Sequence, residues 1–119
     1  MSRRIDKPWG HEIIWAETAR YVGKILSIAP GCTLSLQYHR VKEETIYVAS
    51  GRLLVTYVPV GEPVDTIERE LVLEPGDTFH VPPTMIHRFA ALDGQVEVVE
   101  VSTPELEDVV RIADNYGRA

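Results

Sequence analysis

Short apolar runs separated by turn residues are the feature of this 119-residue sequence that most limits its fold. The runs are rich in Val, Ile, Leu and Thr, and Pro30-Gly31, Pro75-Gly76 and Asp93-Gly94 lie between them. Regular short strands with such turns predict an antiparallel sandwich or barrel. The predicted strands are Tyr21–Ile28, Thr33–Tyr38, Thr45–Ser50, Leu53–Val58, Ile67–Leu73, Thr78–Val81, His87–Ala91 and Val96–Ser102.

Helical signals are restricted to the C-terminal part of the chain. A short helix is predicted at Pro104–Val110, because Glu105, Glu107 and Asp108 would lie in its first turn, where acidic side chains are favoured. The length fits one domain that spans residues 1–119. The sequence therefore predicts an all-β domain with one short C-terminal helix.

Composition excludes several functional classes. The longest apolar runs are too short for a transmembrane helix, and the N-terminal residues lack the apolar stretch of a secretory signal. The single cysteine, Cys32, cannot form an internal disulfide, which favours a reducing cytoplasm. A formal charge of −6 argues against a nucleic-acid surface. We therefore expect a cytoplasmic protein that binds neither membranes nor nucleic acids.

Four potential metal ligands lie in two separate segments. If Leu34–His39 is a strand, Gln37 and His39 point from the same face, and Glu44 follows at the start of the next strand. A second imidazole, His87, comes later in the chain. Amide, imidazole and carboxylate groups are the donors that hold a borderline divalent cation. The pattern predicts one metal ion in the mouth of the barrel; the alternative is that these are satisfied polar residues.

The spacing of these residues resembles the double motif of the cupins. The first motif corresponds to Gly31, Gln37, His39, Glu44 and Gly51, and the second to Gly76, Pro82 and His87. Gln37 replaces the first His of the motif, Thr84 replaces a Gly and Ala91 replaces the final Asn. The resemblance implies a jelly-roll barrel.

A narrower resemblance is to the isomerase domain of bifunctional mannose-6-phosphate isomerase/GDP-mannose pyrophosphorylases. The segments that carry it are Lys7-Pro-Trp-Gly10, Leu34-Ser-Leu-Gln37 and the tail from Glu107 to Arg118. It implies isomerisation of mannose 6-phosphate to fructose 6-phosphate at a metal site. Zn²⁺ is then the expected cofactor, although Mn²⁺, Fe²⁺, Co²⁺ and Ni²⁺ accept the same ligands.

The resemblance also implies roles for individual residues. Lys42 and Glu44 are the candidate catalytic residues, and Lys42 could shuttle protons if its surroundings lower its pKa. Lys24 and Arg111 are the candidate groups for a substrate phosphate. The alternatives are a solvated surface lysine at position 42 and an Arg111 that only ties down the C-terminal segment.

Two other functions share this fold and these ligands. One is a metal-containing cupin that binds a sugar or a small acid without turnover, and the other is an iron-dependent dioxygenase. Fold alone does not choose among the three. Because small cupins hide their sheet edges by pairing, we also expect a homodimer.

Overall fold

The computed structural model describes residues 2–63 and 68–118, and within them it contains eleven β-strands and no helix. The predicted all-β fold is therefore confirmed. None of the described segments forms a helix of the length and hydrophobicity that a bilayer crossing requires. The strands are β1 (Arg3–Lys7), β2 (Gly10–Glu17), β3 (Val22–Ile28), β4 (Leu36–Tyr38), β5 (Glu44–Ser50), β6 (Leu53–Val58), β7 (Arg69–Leu73), β8 (Thr78–Val81), β9 (Ile86–Ala91), β10 (Val96–Ser102) and β11 (Val110–Ala113).

Two antiparallel sheets pack face to face as a jelly roll. The six-stranded sheet has the order β1-β2-β3-β10-β5-β8, and the five-stranded sheet has the order β11-β4-β9-β6-β7. Residues that alternate along each strand point into the space between the sheets. Ile46, Val48, Val55, Val96 and Val98 are among the fully buried members of this core.

The inward face of the six-stranded sheet changes from apolar to charged along its strands. On β10, the inward-facing residues are Val96, Val98 and then Glu100. On β5, the inward-facing residues include Ile46 and, at the start of the strand, Glu44. Burying charged groups costs free energy unless they are paired or bind an ion. The charged end of the sandwich is therefore where a site is expected.

All eight predicted strands have a counterpart, with small shifts at their ends. The predicted strand Thr33–Tyr38 is reduced to Leu36–Tyr38, because Thr33 forms only an isolated bridge with Ala90. Ile67, the first residue of another predicted strand, lies outside the described residues. The β1–β2 hairpin and β11 were not predicted.

The predicted helix Pro104–Val110 is wrong. This segment forms short turns, in which the amide of Leu106 donates to the carbonyl of Pro104 at 2.8 Å and that of Asp108 to Glu105 at 3.3 Å. Val110 then begins β11, which pairs with β4. Acidic residues favour the first turn of a helix, but here Asp108 binds another part of the chain, and the tertiary contacts outweigh the local preference.

Candidate metal centre

Three of the four predicted metal ligands converge at the charged end of the sandwich. His39 follows β4, Glu44 begins β5 and His87 lies in β9, and one ligand atom from each falls within 4.8 Å of the others. A Glu44 oxygen is 3.9 Å from Nε2 of His39, and its other oxygen is 3.5 Å from Nε2 of His87. All three side chains are at most 3% exposed.

Backbone carbonyls orient both imidazole rings. The Nδ1 atom of His39 is 2.6 Å from the carbonyl oxygen of Asp108, and that of His87 is 3.0 Å from the carbonyl oxygen of Met85. Since a carbonyl only accepts hydrogen bonds, each Nδ1 is assigned the proton and each Nε2 keeps its lone pair. Neither Nε2 atom has a hydrogen-bond partner, although both are buried. Two unpartnered nitrogen lone pairs beside a carboxylate are what a divalent cation needs.

The protonation states favour the same interpretation. Burial lowers the pKa of His39 below its ordinary value and so keeps the ring neutral, the form that binds metals. Burial would raise the pKa of Glu44, but His87 and the Lys42 ammonium outweigh it and hold that pKa far below its usual range. The site therefore presents a neutral His39 imidazole and the Glu44 carboxylate at neutral pH.

Gln37 lies next to these three residues. It pairs with His87 across β4 and β9 and lines the same cavity. Its Oε1 atom accepts a hydrogen bond of 2.7 Å from the Ser35 hydroxyl. Because an amide oxygen has a second lone pair, this bond orients the side chain and leaves one site free for a cation.

The strained loop between β8 and β9 also contacts the centre. Thr84 adopts a φ of 71°, a conformation that glycine favours, and its amide donates to the carbonyl of His39 at 2.6 Å. The same loop supplies the Met85 carbonyl that orients His87. The replacement of the motif's Gly by Thr84 therefore leaves the loop in its left-handed conformation.

Lys42 is buried between two carboxylates. Its Nζ atom is 3.2 Å from Glu44 and 3.4 Å from Glu100, and its side chain is 4% exposed. Burial would lower the pKa of Lys42, but the two carboxylates outweigh it and raise that pKa above its ordinary value. The shift is opposite to the expected one, so Lys42 is a cation at neutral pH rather than a free base.

Glu100 is a site residue that the sequence analysis missed. It lies on β10 between Lys24 of β3 and Ile46 of β5 in the strand register, and it is 4% exposed. Burial, and next the Glu44 carboxylate, raise the pKa of Glu100 to about 7. The available signal was its position on the inward face of β10, after Val96 and Val98.

A cavity of about 430 Å³ opens beside the centre. Lys24 lines it and is 3.5 Å from both oxygens of Glu12. Arg111 enters it from β11, opposite Gln37, and its buried Nε atom has no hydrogen-bond partner. The basic residues that line the cavity are Arg3, Lys7, Lys24, Lys42, Arg111 and Arg118. The structure therefore brings both predicted substrate-binding residues to the cavity that Gln37, His39 and Glu44 also line.

Asp108 connects the C-terminal segment to the metal centre. Its carboxylate accepts hydrogen bonds from the amides of Arg40, Val41 and Lys42 at 3.1, 2.7 and 2.9 Å. Its carbonyl orients His39, so one residue fixes both a ligand and the loop between two ligands. Asp108 was predicted to lie in a helix, and its role could not be read from local patterns because its partners are more than sixty residues away.

We expect Asp108→Ala to weaken Zn²⁺ binding about 10-fold, because the lost carboxylate fixes residues 40–42 and holds in place the backbone carbonyl that orients His39. The amides of residues 40–42 lower the pKa of Asp108 to about 2 from 3.8. A carboxylate with a lowered pKa adds stability above its unfolded pKa, and this is lost as the pH falls towards 2. The stability difference between wild type and variant should therefore shrink between pH 4 and pH 2.

Zn²⁺ titration against a chelator and urea unfolding at several pH values measure these two effects. Glu105→Ala is the matched control, because it removes an acidic group from the same segment without breaking a bond to residues 40–42. Equal Zn²⁺ affinity in the Asp108 and Glu105 variants would contradict the role of Asp108.

Comparison with known proteins agrees with this description. The model of the family described as "Cupin domain" matches residues 24–102. The xanthan biosynthesis protein XanB of Xanthomonas campestris pv. campestris is 32% identical over 121 residues, which cover 98% of this chain and 24% of XanB. This chain thus spans about a quarter of the length of that relative.

Two groups of solved structures share the fold. CapF, the capsular polysaccharide assembling protein of Staphylococcus aureus, superimposes with a TM-score of 0.80 at 16% identity over 95% of this chain and 32% of CapF. The Mn(II)-containing oxalate decarboxylase of Bacillus subtilis gives 0.76 at 20% identity over 92% of this chain and 30% of that enzyme. The jelly roll, the matched residues and the His39–Glu44–His87 arrangement lead to one conclusion: the chain belongs to the cupin family.

Proposed function

We propose that this chain is a cytoplasmic, metal-dependent aldose–ketose isomerase that acts on a phosphorylated hexose, of the mannose 6-phosphate to fructose 6-phosphate type. The observation that carries the proposal is the pair of buried, unpartnered Nε2 atoms of His39 and His87 beside Glu44. They lie at a cavity that Arg111 also enters with an unpartnered Nε atom. A cation site and an anion site in one cavity suit a sugar phosphate.

His39, Glu44 and His87 would hold the cation, with Gln37 as the fourth ligand. Two imidazoles, one carboxylate and one neutral amide suit Zn²⁺ as well as Mn²⁺, Fe²⁺, Co²⁺ or Ni²⁺, and we propose Zn²⁺. When bound, the cation would stabilise the negative charge that develops on the substrate oxygens during enolisation.

Arg111 would bind the phosphate group. A guanidinium offers several N–H groups in one plane, which match two oxygens of a phosphate. The Nε–H of Arg111 is buried without a partner, so substrate binding would satisfy a donor that is otherwise costly to bury. Lys24 would add a second positive charge, because its contacts with Glu12 are long at 3.5 Å.

Lys42 and Glu44 would assist the transfer of a proton from C2 to C1 of the substrate. Since Lys42 is held as a cation by Glu44 and Glu100, it would act as a donor towards a substrate oxygen rather than as the base. The proton would leave C2 to a carboxylate and return from it to C1; Glu44 is the candidate from the sequence, and Glu100, whose pKa is raised to about 7, is the alternative if Glu44 is held by the cation. The fold delivers both groups from one loop, residues 39–44, which Asp108 fixes.

The similarity to XanB supports a function in carbohydrate biosynthesis. XanB carries the name of a xanthan biosynthesis protein, and nearly the whole of this chain aligns with it. The segments that resemble the mannose-6-phosphate isomerase domain include the tail with Arg111 and Arg118. Both of these residues line the cavity.

Proton NMR of mannose 6-phosphate in deuterated water, with Zn²⁺- or Mn²⁺-loaded protein, tests the proposal. We expect fructose 6-phosphate to appear and deuterium to enter at C2. Arg111→Gln should raise KM more than it lowers kcat, whereas Lys42→Ala should lower kcat. If neither product nor deuterium exchange is seen with any of the five metals, the isomerase proposal is refuted.

A sugar- or acid-binding module without turnover is the second candidate. The observation that favours it is the pairing of Lys42 with two carboxylates, which leaves no free amine to act as a base. Calorimetry of metal-loaded protein with mannose 6-phosphate separates the two functions. Affinity without product formation would support the binding module.

A further inference from the structure

Glu12 is a buried carboxylate of the cavity that has no part in the metal centre or in phosphate binding. It lies on β2 with its side chain on the inward face, like Ile14 two residues later, and it lines the cavity beside His39 and Glu44. Its side chain is 9% exposed, as is that of Lys24 on the neighbouring strand β3. A charged group buried to this degree needs a close partner or a ligand.

The contacts of Glu12 leave most of its hydrogen-bonding capacity unused. Nζ of Lys24 is 3.5 Å from each of its two oxygens, and Nζ of Lys7 is 3.9 Å from one of them. Within residues 2–63 and 68–118 these are the side-chain contacts of the carboxylate, and both are longer than the usual ammonium–carboxylate hydrogen bond of about 2.7–2.9 Å. Because an ionised carboxylate has about four acceptor positions, Glu12 can accept donors from a ligand in the cavity.

An apolar wall of the cavity adjoins this carboxylate. Trp9, Leu26, Leu34 and Phe89 line the cavity and are at most 8% exposed, and Leu26 lies opposite Glu12 in the register of β2 and β3. A few polar groups placed on an apolar wall fix the orientation of a bound small molecule. A sugar suits such a wall, because it carries C–H groups on its faces and hydroxyl groups at its edges.

We propose that Glu12 determines substrate specificity by accepting hydrogen bonds from the hydroxyl groups at C3 and C4 of the sugar. The inference rests on the proposed function, because it takes a hexose 6-phosphate as the ligand. With O1 and O2 at the cation site and the phosphate at Arg111, the C3 and C4 hydroxyl groups are left for another side chain. The strand order β5-β10-β3-β2 places Glu12 three strands from Glu44, about 14 Å at the backbone, so the two carboxylates contact different parts of one ligand.

A carboxylate at this position distinguishes hydroxyl groups from phosphate groups. A hydroxyl group donates its proton to Glu12, and its oxygen accepts an N–H of the adjacent Lys24 ammonium. A phosphate dianion offers only acceptor oxygens, and the negative charge of Glu12 repels it. Glu12 therefore binds the hydroxyl-bearing part of the ligand and directs the phosphate towards Arg111.

Calorimetry of metal-loaded protein at pH 8 with two ligands tests this role. The ligands are inorganic phosphate and 1,5-anhydromannitol 6-phosphate, which keeps the C3 and C4 hydroxyl groups but cannot open to an aldehyde and be turned over. In Glu12→Gln we expect the sugar phosphate to bind about 10-fold more weakly, because a neutral amide accepts a weaker hydrogen bond than a carboxylate does. Inorganic phosphate should bind equally well or more tightly, since a negative charge has been removed from the cavity.

Glu107→Gln is the matched control, because Glu107 also lines the cavity but is exposed to solvent. It should leave the affinity for the sugar phosphate within about 2-fold of the wild type, as for other solvated charges. Weaker binding of both ligands by Glu12→Gln would show that Glu12 only supports the structure, and would overturn the proposal. So would a wild type that binds the sugar phosphate no more tightly than inorganic phosphate.

Two deoxy analogues, each without the hydroxyl group at C3 or at C4, identify the group that Glu12 binds. At least one of them should bind the wild type about 10-fold more weakly than the parent sugar phosphate, yet bind Glu12→Gln as tightly as the parent does, because the hydroxyl group and the carboxylate form one contact. Equal losses in both proteins for both analogues would contradict the proposal. Since affinity is the only readout, absence of fructose 6-phosphate from the NMR experiment would refute the isomerase and leave the role of Glu12 to be decided by these titrations.

Discussion

His87→Ala is expected to weaken the binding of one Zn²⁺ ion at least about 100-fold. Loss of a residue that only orients a ligand already costs 10- to 100-fold, and His87 would be a ligand itself. Its Nε2 atom is buried, unpartnered and 3.5 Å from Glu44, so no neighbouring nitrogen replaces it. Calorimetric titration of metal-free protein with Zn²⁺ measures the change.

His11→Ala is the control for this variant, since it removes an imidazole from β2, away from the centre. It should bind Zn²⁺ like the wild type. Gln37→Ala should lie between the two, because the amide is neutral and already accepts the Ser35 hydroxyl. If His87→Ala is folded by circular dichroism and binds Zn²⁺ as tightly as His11→Ala, then the assignment of the centre is wrong.

Lys42→Met should lower the free energy of unfolding of the metal-free protein by about 3–5 kcal/mol. Removal of one partner from a buried ion pair leaves an uncompensated charge, and here it leaves the two carboxylates Glu44 and Glu100 facing each other. Methionine keeps the length of the side chain, so that loss of packing contributes little. Urea unfolding in the presence of a chelator gives the difference.

Lys7→Met supplies the comparison. Lys7 lines the same cavity but is partly exposed, and its Nζ atom is 3.9 Å from Glu12. We expect a change below about 1 kcal/mol, as for other solvated pairs. Excess Zn²⁺ should restore part of the stability of Lys42→Met, because the cation would compensate the charge of Glu44. Equal stabilities of the Lys42 and Lys7 variants would show that the buried cation has no such role.

Strand positions in the middle of the chain could be predicted because they depend on local patterns. Leu53–Val58, Thr78–Val81 and Val96–Ser102 have the predicted bounds, since each run is apolar and ends at a turn. The β1–β2 hairpin was missed because four of the five residues of β1 are charged, so its first strand carries no apolar pattern. Arg3 and Lys7 point into the cavity there, so the apolar alternation that marks a strand is absent.

The C-terminal segment shows the opposite case. Glu105, Glu107 and Asp108 satisfy the local rule for a helix start, yet the chain forms turns and then β11. The decisive partners of Asp108 are the amides of Arg40, Val41 and Lys42, which lie more than sixty residues away. The preference of acidic residues for the first turn of a helix considers only neighbours along the chain, so it could not predict these contacts.

The sequence by itself determined the all-β fold, the cupin motif and the residue types of the candidate metal centre, because periodicity, turn chemistry and ligand spacing are local properties. The tertiary structure alone decided that Lys42 is a buried cation, that Glu100 joins it, and that Asp108 orients His39. Each of these depends on which strands become neighbours, since β10 lies beside β5 and the C-terminal segment crosses the loop between two ligands. Charge and hydrogen bonding act over a few ångströms in space, whatever the separation along the chain.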